Sequence, residues 1–266
     1  MQIQQSNNPA ACVTLLYFTC LKISSGIGKI FHMKTKNKNI SSVVEPPDNH
    51  ITVLDGQGWV GLVQTMGTET SIVNAARVSF GKFVEEMTDK DVFLLKYLIE
   101  NKHTSPLEHV TFSFIVHCPL FVRSQWHRHR TWSYNEISRR YTEVDMQFYV
   151  PPTIRMQSKD NRQASIDAMD KENQKEAIEI IRDQNYNALE IYEKLLAMGV
   201  CREQARGILP QNLMTTFWAT VDLSNLAHFL ELRDHEGAQW EIRQYAQAIK
   251  QLIKPQFPNV AEIYSW

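Results

Sequence analysis

The stretch Arg123–Tyr141, which reads RSQWHRHRTWSYNEISRRY, restricts the fold of this chain more than any other part of it. It contains five arginines and a single carboxylate, Glu136. Because burying unpaired charge is costly, a fold has to place these guanidinium groups either in water or against an anion. Guanidinium groups donate paired hydrogen bonds to phosphate, and the hydroxyls and amides between them suit a sugar and a base. The stretch therefore predicts a nucleotide or polyphosphate pocket, although composition leaves open a solvated basic loop anchored in the core by Trp126, Trp132 and Tyr134.

Charge over the whole chain is balanced, with 28 basic and 29 acidic residues and a net charge of -1. A general nucleic-acid-binding protein shows a broad basic face, so we expect no nucleic acid partner. An RNA- or DNA-binding module that stacks bases on Trp and Tyr remains the main non-enzyme alternative. A nucleotide-hydrolysing enzyme is disfavoured because the chain has no glycine-rich phosphate loop. The four cysteines lack metal or redox spacing and fit a reducing compartment, which predicts a cytoplasmic protein without a membrane partner.

Residues 1–48 differ from the rest, and we interpret them as a disordered or dispensable leader before one domain of residues 49–266. The apolar run Ala10–Ile23 is too short to span a bilayer. A signal peptide would begin with Lys or Arg before this run, and none is present. Met33 is an alternative start.

The first half of the domain begins with a predicted hairpin followed by two helices. Asp55 and Gly56 separate two apolar runs, which is a hairpin signal. A short helix over Thr70–Val78 delivers Arg77 and Ser79. Thr88, with Asp91 three residues later, predicts the capping box of the second helix. We expect the packed face of that helix to contain Phe93, Leu94, Tyr97 and Leu98.

The alternating run from Val110 to Cys118 predicts a strand with one buried face. Pro119 can open a helix, which we expect to continue from Phe121 to about Arg130. His127 and His129 would splay apart on that helix, and the flanking arginines repel a cation, so no metal site is expected. The later run MQFYVPP predicts a further strand that the two prolines end.

The second half is predicted to be mainly helical around one strand. Its elements are a long helix over Asp160–Met198 with Gly199 as its stop, a short helix over Cys201–Leu209, a strand over Asn212–Leu223, a helix capped by Ser224, and a last helix that ends at Pro255. Strands and helices do not alternate regularly, which favours antiparallel pairing. The fold class predicted is α+β, with mixed helices around a mainly antiparallel sheet in a single domain.

The spacing of residues inside the arginine-rich stretch is more specific than its charge. Residues 128–141 reproduce the pattern RHRxxSxNExSxRY without a mismatch. This pattern resembles the signature of the flavin-dependent thymidylate synthases. The segments HTSPLEH (103–109), ARGILPQNL (205–213) and FLELR (229–233) resemble further elements of that family, in the same order. The resemblance implies a homotetrameric enzyme with sites between subunits. It would convert dUMP to dTMP with methylenetetrahydrofolate as carbon donor, FAD as redox carrier and NADPH as reductant.

The resemblance also assigns site residues. For the nucleotide dUMP it implies Gln125, Arg128, Glu136, Ile137, Ser138, Arg139, Arg140, Arg206 and Arg233. For FAD it implies Ser79, Ser105, Glu108, Arg128, His129, Arg130, Glu136, Asp222, Ser224 and His228. His103 falls near the stacked flavin and folate rings. No GxGxxG is present, so an FAD site here is not of the Rossmann type.

Four positions in or near the FAD residues depart from the family pattern. The chain has Asp222-Leu223-Ser224 where the family carries Asn-x-Arg, and His228 stands in place of Asn. Gly237 likewise replaces a histidine. The loss of an arginine and the gain of a carboxylate bear on how the adenine side of FAD is bound.

Methylation at carbon 5 of uracil requires that carbon to become nucleophilic, and two routes are open. A cysteine could add to the neighbouring carbon. Cys201 is a better thiolate candidate than Cys118, because a helix N-terminus and Arg202 favour the anion. Alternatively, an arginine facing the imide nitrogen stabilises the ring anion as a fixed positive charge. The resemblance gives that catalytic role to Arg233 and assigns no cysteine nucleophile.

Overall fold

A five-stranded antiparallel sheet with the order β1-β2-β3-β7-β4 forms the centre of the molecule. A computed structural model describes residues 44–144 and 146–266. The strands are β1 His50–Val53, β2 Gly58–Met66, β3 Thr111–Pro119, β4 Ser133–Glu136, β5 Arg155–Gln157, β6 Ser165–Ala168 and β7 Met214–Asp222. The helices are α1 Glu69–Arg77, α2 Asp89–Glu100, α3 Leu120–Trp126, α4 Lys171–Ala197, α5 Arg202–Ala205, α6 Leu223–Arg233, α7 Trp240–Ile253 and α8 Pro258–Ile263. The prediction of an α+β fold around an antiparallel sheet is confirmed.

The predicted leader lies almost wholly outside the described residues. Its apolar run Ala10–Ile23 and Met33 are among residues 1–43, which the structure does not describe. Of its last residues, Pro47 lies against Gly61 of β2, where a Cβ would come within 2.2 Å of the proline ring. In the described part of the chain, each helix is too short or too polar to cross a bilayer.

Alternation along the two central strands builds the core. On β3, Phe112, Phe114, Val116 and Cys118 are fully buried, as the period-two pattern predicts. β7 pairs with β3 along its whole length and buries Phe217, Ala219 and Val221 on the same side. Helix α7 contacts β1, β2 and α6, and so covers this apolar face.

Helix α2 begins as predicted, but its packed face differs. Thr88 and Asp91 form the expected capping box. The buried positions are Asp91, Leu95 and Leu98, whereas Phe93 and Tyr97 are 77% and 52% exposed. At 100° per residue those two rings fall on a strip of the helix that no element within residues 44–144 and 146–266 covers. Their expected packing inside this chain is therefore wrong.

Helix α3 ends at Trp126, four residues before the predicted end. The buried ring of Trp126 contacts the rings of Phe217, Phe229 and Tyr245. The hydroxyl of Tyr134 lies 3.1 Å from the carbonyl oxygen of Trp126 and 3.0 Å from that of His129, and its hydrogen is shared between them. Arg128, His129 and Arg130 therefore stand on a turn and not on two faces of a helix.

Two further predictions are corrected by side-chain hydrogen bonds. MQFYVPP makes only the bridge Phe148–Leu213, because Gln57 bonds both the N–H and the carbonyl of Val150 that a strand neighbour would use. The long helix begins at Lys171 and not at Asp160, since Asp170 caps it through the N–H of Asn173. The residues before it form the two-stranded β5-β6 sheet. Gly199, with φ 88°, follows the helix end as predicted.

Near the C-terminus, the cap of α6 is displaced by two residues. Asp222, not Ser224, is the N-cap, and its carboxylate accepts a hydrogen bond of 2.9 Å from the N–H of Asn225. Helix α8 was not predicted, although Pro258 stands at its first position, where proline is favoured.

Candidate active site

The last turn of α6 places Arg233 against the turn that follows α3. Its Nε donates to Nε2 of His129 at 3.0 Å, and its Nη2 donates to the backbone carbonyl of Gln125 at 3.1 Å. In residues 44–144 and 146–266, no carboxylate pairs with this guanidinium. Its positive charge is consequently held in place without being neutralised.

His129 is buried and electrically neutral. Burial, the guanidinium of Arg233 and the neighbouring His228 lower the pKa of His129 from 6.5 to about 4. The rings of His129 and His228 are 6.1 Å apart. A neutral imidazole has one acceptor nitrogen, and the contact with Arg233 requires that acceptor to be Nε2. Burial also lowers the pKa of Arg233, which nevertheless stays charged as arginines in proteins do.

Glu136 is the carboxylate of the arginine-rich stretch, and β4 holds it at the edge of the sheet. Its Oε1 accepts from Nε of Arg123 at 3.1 Å and from the hydroxyl of Thr215 at 2.7 Å. Both donors use the same oxygen, and no donor to Oε2 lies among the described residues. Sequence reasoning missed Thr215, although a hydroxyl on the buried face of β7 is a signal for such a bond.

The residues after β4 divide into backbone-bonded and exposed groups. Arg139 is buried and donates to the carbonyl oxygens of Val144 and Met214, the latter at 3.2 Å. Its guanidinium is thus used inside the protein, and a nucleotide contact by Arg139 would have to come from its main chain. The N–H of Ile137 is likewise used, since it donates to the carbonyl of Thr216 at 2.9 Å.

Arg140 and Arg206 lie on the outside, near helix α5. Arg140 pairs with Glu203 of that helix at 3.0 Å. Arg206 is exposed on the 3-10 turn that continues α5. The hydroxyl of Ser138 accepts from the N–H of Arg140 at 3.3 Å. The pair with Glu203 therefore holds Arg140, in the signature pattern, next to the element that carries Arg206, although Arg140 and Arg206 are far apart in sequence.

A separate open cavity of about 710 Å³ collects Ser79, His103 and Ser105. Tyr97 also lines it, with its ring 5.7 Å from that of His103. The turn Leu107–His109, which includes Glu108, contacts both α1 and α6. Asp222 pairs in register with Thr111, just after that turn. The structure thus places Glu108, Asp222 and Ser224 near one end of the sheet, whereas His228, farther along α6, lies beside His129.

Arg128 and Arg130 are exposed on the turn after α3. Neither forms an ion pair with any residue that the structure describes. The same part of the chain holds no group of three or more His, Cys, Asp or Glu side chains placed to share a metal ion. The turn can therefore offer two free guanidinium groups to an anionic ligand.

Comparison with known proteins decides the family. A family model described as thymidylate synthase complementing protein matches residues 61–259. The flavin-dependent thymidylate synthase of Thermus thermophilus is 48% identical over 208 residues, covering 78% of this chain and 75% of that protein. The enzyme of the same name from Thermosipho africanus is 41% identical over 212 residues, covering 80% and 92%. The chain is a member of the flavin-dependent thymidylate synthase family.

A solved structure agrees with this assignment. The crystal structure of the UMP/dUMP methylase PolB from Streptomyces cacaoi, bound with 5-Br dUMP, superposes with a TM-score of 0.71. Its sequence identity is 31%, and the match covers 78% of this chain and 94% of that one. The resemblance seen in the signature pattern is confirmed, and with it the expectation of an enzyme of the flavin-dependent thymidylate synthase family.

The residues present fit FAD, which the family name leads one to expect. The cavity of about 710 Å³ beside Ser79 and Ser105 is within the size range of cofactor sites. Arg128 and Arg130 are exposed, have no ion-pair partner among the described residues, and could pair with the phosphates of such a cofactor. Asp222 caps α6, which gives this carboxylate a structural use where the family pattern has an amide.

Proposed function

We propose that this enzyme converts dUMP to dTMP, with methylenetetrahydrofolate as carbon donor, FAD as redox carrier and NADPH as reductant. The proposal rests on the family and on one observation of the site. That observation is the unneutralised guanidinium of Arg233, held between a neutral histidine and a carbonyl.

Arg233 would act as a fixed positive charge beside the uracil. In a site shielded from water, such a charge stabilises an anion at the imide nitrogen of the ring. Electron density at carbon 5 of the uracil then increases. The neutral His129 matters because an imidazolium would compete with Arg233 and repel it. Arg233 cannot lose its own proton, so it stabilises charge and does not serve as an acid.

Residues of the signature pattern, together with Gln125 and Arg206, would hold the nucleotide. Gln125, Ser138, Arg140 and Arg206 supply hydrogen-bonding groups for the phosphate and sugar. Binding at these groups, away from the reacting carbon, positions the base. Ile137 and Arg139 would contribute through their main chain. Glu136 and Arg128 would lie between nucleotide and cofactor, since Oε2 of Glu136 is available while Oε1 is already bonded.

The FAD site would combine the exposed arginines with the cavity side chains. Arg128, His129 and Arg130 would contact the cofactor with Glu136, and so would Ser79, Ser105, Glu108, Asp222, Ser224 and His228. Once reduced by NADPH, bound FAD would supply the hydride that reduces the transferred one-carbon group. His103, on the wall of the cavity beside Tyr97, would lie near the flavin and folate rings.

The assembly we propose is a homotetramer with each site between subunits, in the cytoplasm. Exposed aromatic side chains support this, because large exposed apolar residues often mark an interface. Phe80 lines the cavity, and Phe83 and Phe93 are sequence neighbours of the lining residues Lys82 and Leu94. Phe80, Phe83 and Phe93 are 79%, 74% and 77% exposed. A light-scattering mass near that of four chains is expected, and a monomer that still converts dUMP would contradict the assembly.

The test is Arg233→Ala in the FAD-loaded enzyme, assayed for dTMP and for bound flavin by absorbance. We expect dTMP formation to fall by about a hundredfold to a thousandfold, as for removal of a charge-stabilising donor, with flavin retained. Arg162→Ala removes an exposed arginine between β5 and β6 and serves as the control. Unchanged turnover in Arg233→Ala would remove this residue from the mechanism, and wild-type enzyme that makes no dTMP would refute the function.

A further inference from the structure

Gln239, just before α7, links Gln125 of the arginine-rich stretch to a buried carboxylate, that of Glu241. Its Oε1 accepts a hydrogen bond from Nε2 of Gln125. Its own Nε2 donates to Oε2 of Glu241 at 2.8 Å. Neither the signature pattern nor the resemblance assigns Gln239 a part in the site.

Glu241 is held in place from the β5-β6 sheet. Its side chain is 5% exposed, and its Oε1 pairs with Nη2 of Arg155 at 2.8 Å. The guanidinium of Arg155 also bonds the hydroxyl of Ser165 at 3.0 Å and lies over the ring of Trp240, 5.2 Å from its centre. One oxygen of this carboxylate is therefore held by an arginine that has two further contacts of its own.

This arrangement sets the direction of two amides. An ion-paired carboxylate only accepts hydrogen bonds, so Gln239 has to turn its NH2 group toward Glu241. Its carbonyl oxygen then faces Gln125, which in turn has to present its own NH2 group. Oε1 of Gln125 is thereby left as an acceptor on the side away from Gln239.

We propose that Gln239 is a positioning residue, which holds Gln125 so that its carbonyl oxygen accepts a hydrogen bond from the sugar hydroxyl of the nucleotide. The inference rests on the proposed function. Neutral dUMP carries two donors on its sugar and base, the 3′-hydroxyl and the N3–H. In the proposal for Arg233, N3 is an anion without a hydrogen, so the 3′-hydroxyl is the donor that remains for Gln125. The backbone carbonyl of Gln125 accepts a hydrogen bond from Arg233, so the two residues lie close enough to contact the same ligand.

The experiment measures dUMP binding to FAD-loaded enzyme from the change in the flavin spectrum. Gln239→Met keeps the side-chain volume but removes both polar atoms. We expect the Kd for dUMP to rise about tenfold, the effect of one lost hydrogen bond. The KM for dUMP should rise equally, while kcat and flavin content stay within about twofold, since Gln239 touches no reacting atom.

A double-mutant cycle with Gln125→Ala separates positioning from a structural effect. If Gln239 acts through Gln125, the double variant binds dUMP no more weakly than Gln125→Ala alone. Additive losses would overturn the inference. Gln247→Met is the matched control, because Gln247 also lies on α7 but bonds Asp234, and it should bind dUMP normally.

A ligand change provides an independent readout. The wild type should bind 2′,3′-dideoxyuridine monophosphate about tenfold more weakly than dUMP, and Gln239→Met should bind the two almost equally. If loss of the 3′-hydroxyl weakens nucleotide binding equally in the wild type and in Gln239→Met, the inference is overturned even though dUMP binds. Absence of any dUMP response in the wild type would overturn the proposed function and the inference together. If Gln239→Met does not fold, Glu241→Gln replaces it in the same cycle with the same expectation. Glutamine has one acceptor oxygen in place of two, and when Arg155 bonds that oxygen an NH2 group faces Gln239 and no longer sets its amide direction.

Discussion

Lowering the pH from about 7.5 to about 5 should destabilise the fold through His129. The pKa of His129 is about 4 in the folded protein, against an ordinary value of 6.5. The unfolded chain therefore binds a proton at this residue below about pH 6.5, while the folded chain does so only near pH 4. The stabilisation is complete above pH 6.5 and is lost progressively as the pH falls toward 4.

The magnitude follows from that difference in pKa. Between about pH 7.5 and about pH 5, the free energy of unfolding falls by at most about 2 kcal/mol. The site is open toward the ligand, and solvent there screens part of the interaction, so we expect about 1 kcal/mol. This loss is large enough to measure, because it is a visible fraction of the stability of a domain.

The assay is urea unfolding, followed by tryptophan fluorescence, of wild type and His129→Gln at several pH values. Glutamine keeps an acceptor for Arg233 but does not titrate. All other residues are the same in the two proteins, so the stability difference between them isolates His129. Protein concentration and flavin load are held constant, since subunit and cofactor binding both change apparent stability. A stability difference that does not vary with pH would refute the reasoning.

Three further predictions concern groups that the structure holds at other places. Arg139→Met should lower the free energy of unfolding by about 2–3 kcal/mol, because it leaves buried carbonyl oxygens without their charged donor; chemical denaturation measures this. Glu69→Gln should lower it by about 1–2 kcal/mol, since Glu69 accepts hydrogen bonds from the N–H of Val260 at 2.8 Å and from the amide of Asn259 at 2.6 Å, and glutamine offers one acceptor oxygen in place of two; a thermal melt measures this. Cys201→Ser should leave dTMP formation within about twofold, as an exposed thiol outside the Arg233 contacts would allow; a turnover assay in which activity disappeared would instead support thiolate addition to the uracil.

Local patterns in the sequence determined the parts of the fold that depend on near neighbours. The alternation on β3, the capping box at Thr88 and the glycine after α4 depend on contacts within a few residues, and all three are found. The signature pattern also identified the family, because residue types at fixed spacing carry that information without any knowledge of packing.

Only the tertiary structure decided how distant residues share one site. The end of α3 at Trp126 depends on three aromatic rings from β7, α6 and α7, which no local pattern shows. The use of the Arg139 guanidinium inside the protein depends on a carbonyl of β7. The neutral state of His129 depends on Arg233, which is 104 residues away along the chain. Such effects arise from burial and from side chains that the fold brings together, and these are properties of the packed molecule that short stretches of sequence do not contain.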